Sequence, residues 1–573
     1  MWSPESLHRS KAFIPEVTDK ETRFQFLEQK RLCKLFKILS VYLLEGGTMI
    51  TDKLMNRLLR FALGIAENWP WLNTKLNEWI INRTVNVCRH RPHPWSTVHD
   101  YTSWTSLTDQ RWSARHLRAK KTPNLPTSGD LLGLFKQQNG EQRLSDKSTL
   151  LFPTFAQYLT DGFIRTRMPE ANEPEEVRLQ NTSNHQIDMC PLYGRLPKQT
   201  DALRLKSEVA GERGRLKSQL IGEEEFSPFL FDKDTIKEEF VDLDKPLGLN
   251  SALERAPNPE ELRARIFALG GDRTNAVPQV AMLNTLFLRE HNRLAGEIEQ
   301  SHPDWNDERI FQTARNTVIV LFIRIVVEEY ISHISPLFRY HVDPSVAWDA
   351  PWNKPNWITT EFSLLYRWHS LVPNRITWNG KDYLLGATSM NNRLLIDGGL
   401  RRAFTDTSGQ RAARLGPFNT AEFLWEIETR AIDQGRLADL APYTDYRDYV
   451  SLSRPRDFSD ISEDSRVVDF LRNTYRRVED IDFYVGLFAE DLVEDSPLPP
   501  LMLRMVAVDA FSQALTNPLL SRHVYNEETF STPGWKAIHS TRSLQDMLDR
   551  NAGFDPLTDL YIGMTLPGWK PGG

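Results

Sequence analysis

Three cysteines in 573 residues, Cys33, Cys88 and Cys190, are too few and too widely spaced for a disulfide framework or a thiolate metal site. Neither sign of charge is in excess. The 70 lysines and arginines against 76 aspartates and glutamates leave a net charge of −6, with no electrostatic footprint for nucleic acid. The opening residues, MWSPESLHRSKAFIPE, lack the apolar core of a signal peptide. The most apolar helix-like run, TVIVLFIRIVVEEYI (317–331), is interrupted by Arg324 and two glutamates, and it falls short of the about 20 residues that span a bilayer. Internal repeats and low-complexity tracts are missing, and strand-like alternation is scarce. What remains is a globular composition, 40% apolar and 25% charged, long enough for a sizeable core and mainly α in character.

The chain divides into three stretches. Residues 1–30 are polar. Residues 31–95 carry short amphipathic helices: KLMNRLLRFALGIAE (53–67) sets Leu54, Leu58, Phe61 and Ile65 at helical spacing, flanked by Lys53, Arg57 and Arg60. WPWLNTKLNEWI (69–80) repeats the pattern with three tryptophans and ends near Arg83. Basic helices with Trp and Leu on one side suit a membrane interface, and they equally suit a helical subdomain docked on the core. Pro92 and Pro94 close this run, and residues 96–573 form one large domain. Within it, residues 169–245 read as charged and irregular, and 260–335 as dominantly helical, including LRARIFALGG (262–271).

The chemistry centres on EFSLLYRWHSLVP (361–373), which reads as a buried helix with Tyr366 and His369 three positions apart, hence on one face. An imidazole there suits an axial iron ligand; a structural histidine is the plainer reading. LFPTFAQYLTDGFIRT (151–166) sets Gln157 and Asp161 four apart on another helix, and GGDRTNAVPQV (270–280) puts Arg273 in a turn before a long helix. An acid, an amide and a guanidinium suit the splitting of a peroxide bond, one group moving the proton and the cation stabilising the developing oxyanion. Taken singly, a cap or an ordinary salt bridge explains Asp161 or Arg273 as well.

Read in order, these segments resemble the animal-type haem peroxidases, and within them the cyclooxygenases and related fatty-acid dioxygenases. NTLFLREHNRLA (284–295), HPDWNDERIFQTARNTVIVLFIRIVVEEYI (302–331), EFSLLYRWHSLVP and MVAVDAFSQALTNPLLS (505–521) follow that family collinearly, as do HQIDMCPLYG, MNNRLLIDGG and YTDYRDYV. HDYTSWTSL (99–107) and the helices before it are similar to the cyclooxygenase membrane-binding region. The resemblance implies haem, with His369 as its proximal ligand, Tyr366 as the radical-bearing tyrosine and Gln157 as the distal glutamine. It implies O2 as co-substrate, an unsaturated fatty acid as substrate and a tyrosyl-radical route to a hydroperoxide. It also implies a peripheral, monotopic seat on a membrane, for which the N-terminal residues favour the cytoplasmic side.

The departures shape the expectations further. Asp161 stands where the family has its distal histidine, and Arg273 matches the arginine of the wider peroxidase family. An Asp with an Arg over haem resembles the distal pair of the dye-decolourising peroxidases, an unrelated fold. Thr160 and Ala276 replace the carboxylates that esterify haem in mammalian peroxidases, so non-covalent haem is expected. Gly162 replaces a calcium-holding aspartate, so no calcium is expected there. Pro336 replaces the channel-mouth tyrosine, Arg83 and Arg89 are the nearest candidates for the channel-mouth arginine, and Ser512 for the channel serine. The oligomeric state stays open. The alternatives are a plain peroxidase acting on small reducing substrates, with Tyr366 a bystander, and a haem-binding or haem-free membrane-associated protein without turnover.

Overall fold

The computed structural model describes residues 70–86, 109, 111–138, 140–170, 172–336, 339–552 and 561–570. The 53–67 helix, HDYTSWTSL and Arg89 lie outside the described residues. The helices that frame the site are, in chain order, α1 (Pro70–Asn86), α2 (Leu151–Asp161), α3 (Pro278–Ser301), α4 (Asp307–Ile325), α5 (Thr360–Leu365), α6 (Trp425–Leu437), α7 (Phe483–Ala489) and α8 (Pro500–Leu515). Strands are few and short, as expected. Antiparallel β1 (Leu144–Thr149) and β2 (Arg411–Ala413) pair with a bulge between Leu144 and Thr149, and Leu150 N–H donates to Gln410 O to launch α2. The stretch 169–245, expected to be irregular, contains two small hairpins, Gln219–Ile221 with Glu224–Phe226 and Phe231–Asp232 with Thr235–Ile236. Gly222, at φ 64°, supplies the left-handed turn of the first.

Helix α3 runs through the centre. Pro278 opens it at a position where a missing N–H costs nothing, and residues on every face are buried, polar ones included. The buried polar groups are paired: Glu290 accepts from Arg293 and Arg550, each at 2.9 Å, and His291 has both ring nitrogens engaged, by Tyr193 Oη and Gly214 O. Helix α4, capped by Asn306 Oδ1 accepting from Arg309 N–H at 3.0 Å, packs along α3. With its continuation to Ile334 it is long and apolar enough to cross a membrane, but 83% of its most apolar window is buried, which marks a core helix. It continues as a π-helical turn, Val326–Ile331, on which Tyr330 is fully buried.

Two helical expectations need correction. LRARIFALGG is helical only to Ala264. Beyond it, the Asn275 side chain takes both backbone groups of Phe267, accepting from its N–H and donating to its carbonyl, so residues 265–277 fold as a loop. EFSLLYRWHSLVP is likewise not one helix. Helix α5 ends at Leu365, and a separate 3-10 turn spans His369–Leu371. Between them the Tyr366 and Trp368 rings stack with centroids 5.0 Å apart. Residues two apart point to opposite faces of a helix, so that stack requires the chain to leave it.

The 265–277 loop is pinned where Gly270 meets the Cys190–Gly194 turn. Its N–H donates to Pro191 O at 3.0 Å, and a Cβ at Gly270 would stand 2.3 Å from Cys190 O and Gly194 N. Both obstacles are backbone. Gly270→Ala is therefore expected to cost about 1–3 kcal/mol or more, seen as a lower urea midpoint at unchanged m-value.

Candidate functional site

The site is assembled around the turn after α5. Thr359 Oγ1 caps that helix by accepting from Phe362 N–H at 3.0 Å. Tyr366 then packs between Phe362, 4.7 Å away between ring centroids, and Trp368. Trp368 in turn stacks on Phe152 of α2 at 5.4 Å, so the helix carrying Gln157 and Asp161 lies against the turn carrying Tyr366 and His369. Burial pushes the Tyr366 hydroxyl above its ordinary pKa, and the Asp509 carboxylate of α8 adds to that. The Tyr330 hydroxyl approaches Tyr366 but makes no well-directed hydrogen bond.

His369, half-buried, differs from three of the buried histidines. Both ring nitrogens of His116, His291 and His333 have partners: Tyr449 and Asp509, Tyr193 and Gly214, Ser148 and Thr565. His369 directs Nδ1 to within 3.3 Å of Glu428 Oε1, with no other partner for that atom. Its Nε2 has no hydrogen-bond partner among the described residues, and the side chain keeps 17% of its surface accessible. The 3-10 turn that holds it is tied down by Asn419 Nδ2 donating to Ser370 O and by Gly416 N–H donating to Ser370 Oγ. An imidazole with one nitrogen facing a buried carboxylate and the other open fits an axial ligand to a haem iron.

Asp161 and Arg273, 112 residues apart, form an ion pair, with Nη1 3.3 Å from Oδ1. Arg273 is positioned by the pinned loop and also donates to Ile164 O at 3.1 Å. Burial raises the Asp161 carboxyl to about 7, against the opposing pull of Arg273, and Oδ2 has no partner. Gln157, one turn earlier on α2, is half-buried. A carboxyl raised in the fold holds its proton when the unfolded chain has already lost it. Stability therefore falls as pH rises from about 4 to about 7, by on the order of 3–4 kcal/mol for a shift of this size. Urea unfolding at pH 5 and pH 8 should show that loss in the native chain, and Asp161→Asn should remove most of it.

Two polar residues of the site lay outside the sequence-level candidates. Arg367 is held by Ser363 O at 3.3 Å and by Gln434 Oε1 at 3.0 Å; among the described residues no carboxylate pairs with it, and the Arg273 charge adds to burial in lowering its pKa. Glu428 of α6 is fully buried. The remaining candidates sit elsewhere. Ser512 is buried on α8, and its hydroxyl is spent on Asp509 O at 3.0 Å. Arg83 on α1 lies over the Trp79 ring, 5.8 Å from its centroid.

Residues 148–556 match the animal haem peroxidase family. Prostaglandin G/H synthase 2 of Equus caballus is 26% identical over 512 residues, covering 87% of this chain and 80% of its own. Prostaglandin G/H synthase 1 of Mus musculus is 26% identical over 518 residues with the same coverage. Among solved structures, the fatty acid alpha-dioxygenase of Oryza sativa superposes with a TM-score of 0.64 at 15% identity, over 87% of this chain and 94% of that one. Peroxidase A of Dictyostelium discoideum gives 0.59 at 20% identity, over 77% and 92%. A family match across most of the chain, with a mainly helical peroxidase fold, establishes that this protein belongs to the animal haem peroxidases, a family of haem-dependent oxidoreductases.

Proposed function

We propose that this protein is a haem-dependent fatty-acid dioxygenase that uses a radical on Tyr366. The observation that carries the reading is the turn joining Tyr366 to His369, which holds a half-buried phenol stacked on Trp368 three residues before an imidazole whose Nε2 is open. Haem, when bound, would supply the one-electron oxidation driven by a hydroperoxide. His369 would hold the iron through Nε2, and Arg367, a half-buried cation with no carboxylate at ion-pair distance among the described residues, would meet the haem carboxylates. Attachment is non-covalent: Thr160 offers no carboxylate, and its hydroxyl donates to Gln157 O. We propose no calcium at Gly162.

The chain's own groups divide the work. Asp161 accepts the hydroperoxide proton and returns it to the departing oxygen, with Arg273 stabilising negative charge there and Gln157 orienting the peroxide. Because Asp161 titrates near 7, hydroperoxide reduction should rise with pH through about 7 and then level, and Asp161→Asn should flatten that limb in stopped-flow traces. Tyr366 gives up a proton and an electron to become a phenoxyl radical. It then takes a hydrogen atom from an allylic or bis-allylic carbon of the substrate, which restores the phenol. O2 adds to the carbon radical, and the Tyr366 phenol returns its hydrogen atom to the resulting peroxyl radical, which completes the hydroperoxide and restores the tyrosyl radical.

Entry from a membrane surface fits α1. Its Leu76, Ile81 and Val85 are buried and the helix packs on α8, while Trp71 and Trp79 stay 47% and 37% exposed. In this reading residues 31–95 associate with the membrane, residues 96–573 catalyse, and Arg83, Arg89 and Ser512 belong to the substrate channel. Two of the structural relatives are the rice alpha-dioxygenase and a tyrosine-to-phenylalanine variant of it with palmitic acid, so saturated acids, from which the hydrogen atom would come from a non-allylic carbon, are candidate substrates beside unsaturated ones. Oxygen uptake by the haem-loaded protein with C16–C20 acids of both kinds, with the oxygenated carbon located by mass spectrometry, tests the reading. Hydroperoxide reduction without oxygen uptake on any acid would instead favour a plain peroxidase, the reading supported by the likeness to peroxidase A.

A further inference from the structure

A buried glutamate is costly unless its oxygens are matched, and Glu428 is the one beside the open imidazole. Thr420 Oγ1 donates to Oε1 at 2.9 Å, and Tyr484 Oη donates to Oε2 at 2.5 Å. Those two donors leave Oε1 with a second lone pair, and His369 Nδ1 stands 3.3 Å from it. That nitrogen is buried and satisfied by nothing else. Each member is anchored independently: Thr420 by its N–H donating to Phe135 O and its carbonyl accepting from Trp425 Nε1, Tyr484 by stacking on Phe135 with centroids 5.6 Å apart. Two donors and a rigid surround make this a built socket for a carboxylate.

We infer that Glu428 is the positioning residue of the axial ligand: its carboxylate accepts the Nδ1 hydrogen bond of His369, and Thr420 and Tyr484 set how strongly it does so. The inference rests on the reading of His369 as the iron ligand. An anionic acceptor behind an imidazole fixes the tautomer with Nε2 toward the metal and increases electron donation to it. That donation stabilises ferric over ferrous haem. The two hydroxyl donors withdraw charge from the carboxylate and so moderate the effect. Consequently two substitutions in one cluster should act in opposite directions, which loss of packing alone does not produce.

The experiment is spectroelectrochemistry and resonance Raman on haem-loaded full-length variants. Glu428→Gln should shift the ferric/ferrous midpoint potential positive, lower the iron–histidine stretching frequency and weaken haem affinity by about 10–100-fold. Tyr484→Phe, which removes a donor and leaves the carboxylate a stronger acceptor, should shift the potential negative and raise that frequency; Thr420→Val should do the same. If Glu428→Gln does not hold haem, the sign of the Tyr484→Phe and Thr420→Val shifts still decides. Unchanged potentials and frequencies in all three variants, with the iron–histidine band still lost in His369→Gly, would overturn the role of Glu428 and leave the ligand in place. Persistence of that band in His369→Gly would overturn both.

Discussion

Tyr366→Phe is expected to lose fatty-acid oxygenation by at least about a hundredfold while binding haem as the native protein does. The substitution removes one hydroxyl and little else. That hydroxyl makes no well-directed hydrogen bond with Tyr330, and the ring contacts with Phe362 and Trp368 remain available to phenylalanine. Folding is therefore little affected, and the loss falls on chemistry. Burial and the Asp509 charge keep the phenol protonated, so the reactive form is reached by losing a hydrogen atom rather than by prior ionisation. Phenylalanine cannot do this at any comparable potential. In the proposed mechanism hydroperoxide reduction runs through Asp161 and Arg273, and it should survive within a few-fold. An oxygen electrode and a peroxidase assay on one preparation separate the two activities, and the Soret band confirms equal haem content.

His369→Ala is expected to have the larger effect on composition: purified protein should retain little haem, with affinity down by at least about a hundredfold. Two consequences follow from the surroundings. Glu428 stays matched by Thr420 and Tyr484, so the fold persists and the melting temperature of the haem-free form changes little. The space left by the imidazole adjoins that carboxylate, so added imidazole should restore part of the Soret absorbance. A variant that keeps native haem content and spectrum would remove His369 from the iron.

Much of this architecture was legible in the chain before the fold. Helix α2, with Gln157 and Asp161 one turn apart, and the central α3 and α4 follow from periodicity. The pairing of Asp161 with Arg273 came only through likeness to a family, because no local rule links positions 112 apart. The Tyr366–His369 spacing suggested a helical face, yet aromatic stacking of Tyr366 on Trp368 overrides helix propensity there and ends α5 early. Glu428 was missed although a signal existed. It shares one buried face of α6 with Ala431 and Ile432, three and four positions on, and a carboxylate on such a face calls for a buried partner. The Gln219–Phe226 hairpin was missed because its strands, three residues each, are too short for alternation to show, though Gly222 marked the turn.

The most direct test is freeze-quenched electron paramagnetic resonance on the haem-loaded protein mixed with a fatty-acid hydroperoxide. A tyrosyl signal that forms before oxygen uptake begins and is missing from Tyr366→Phe is the predicted result. An identical signal in Tyr366→Phe, or full oxygenation with no tyrosyl signal in the native protein, would contradict it.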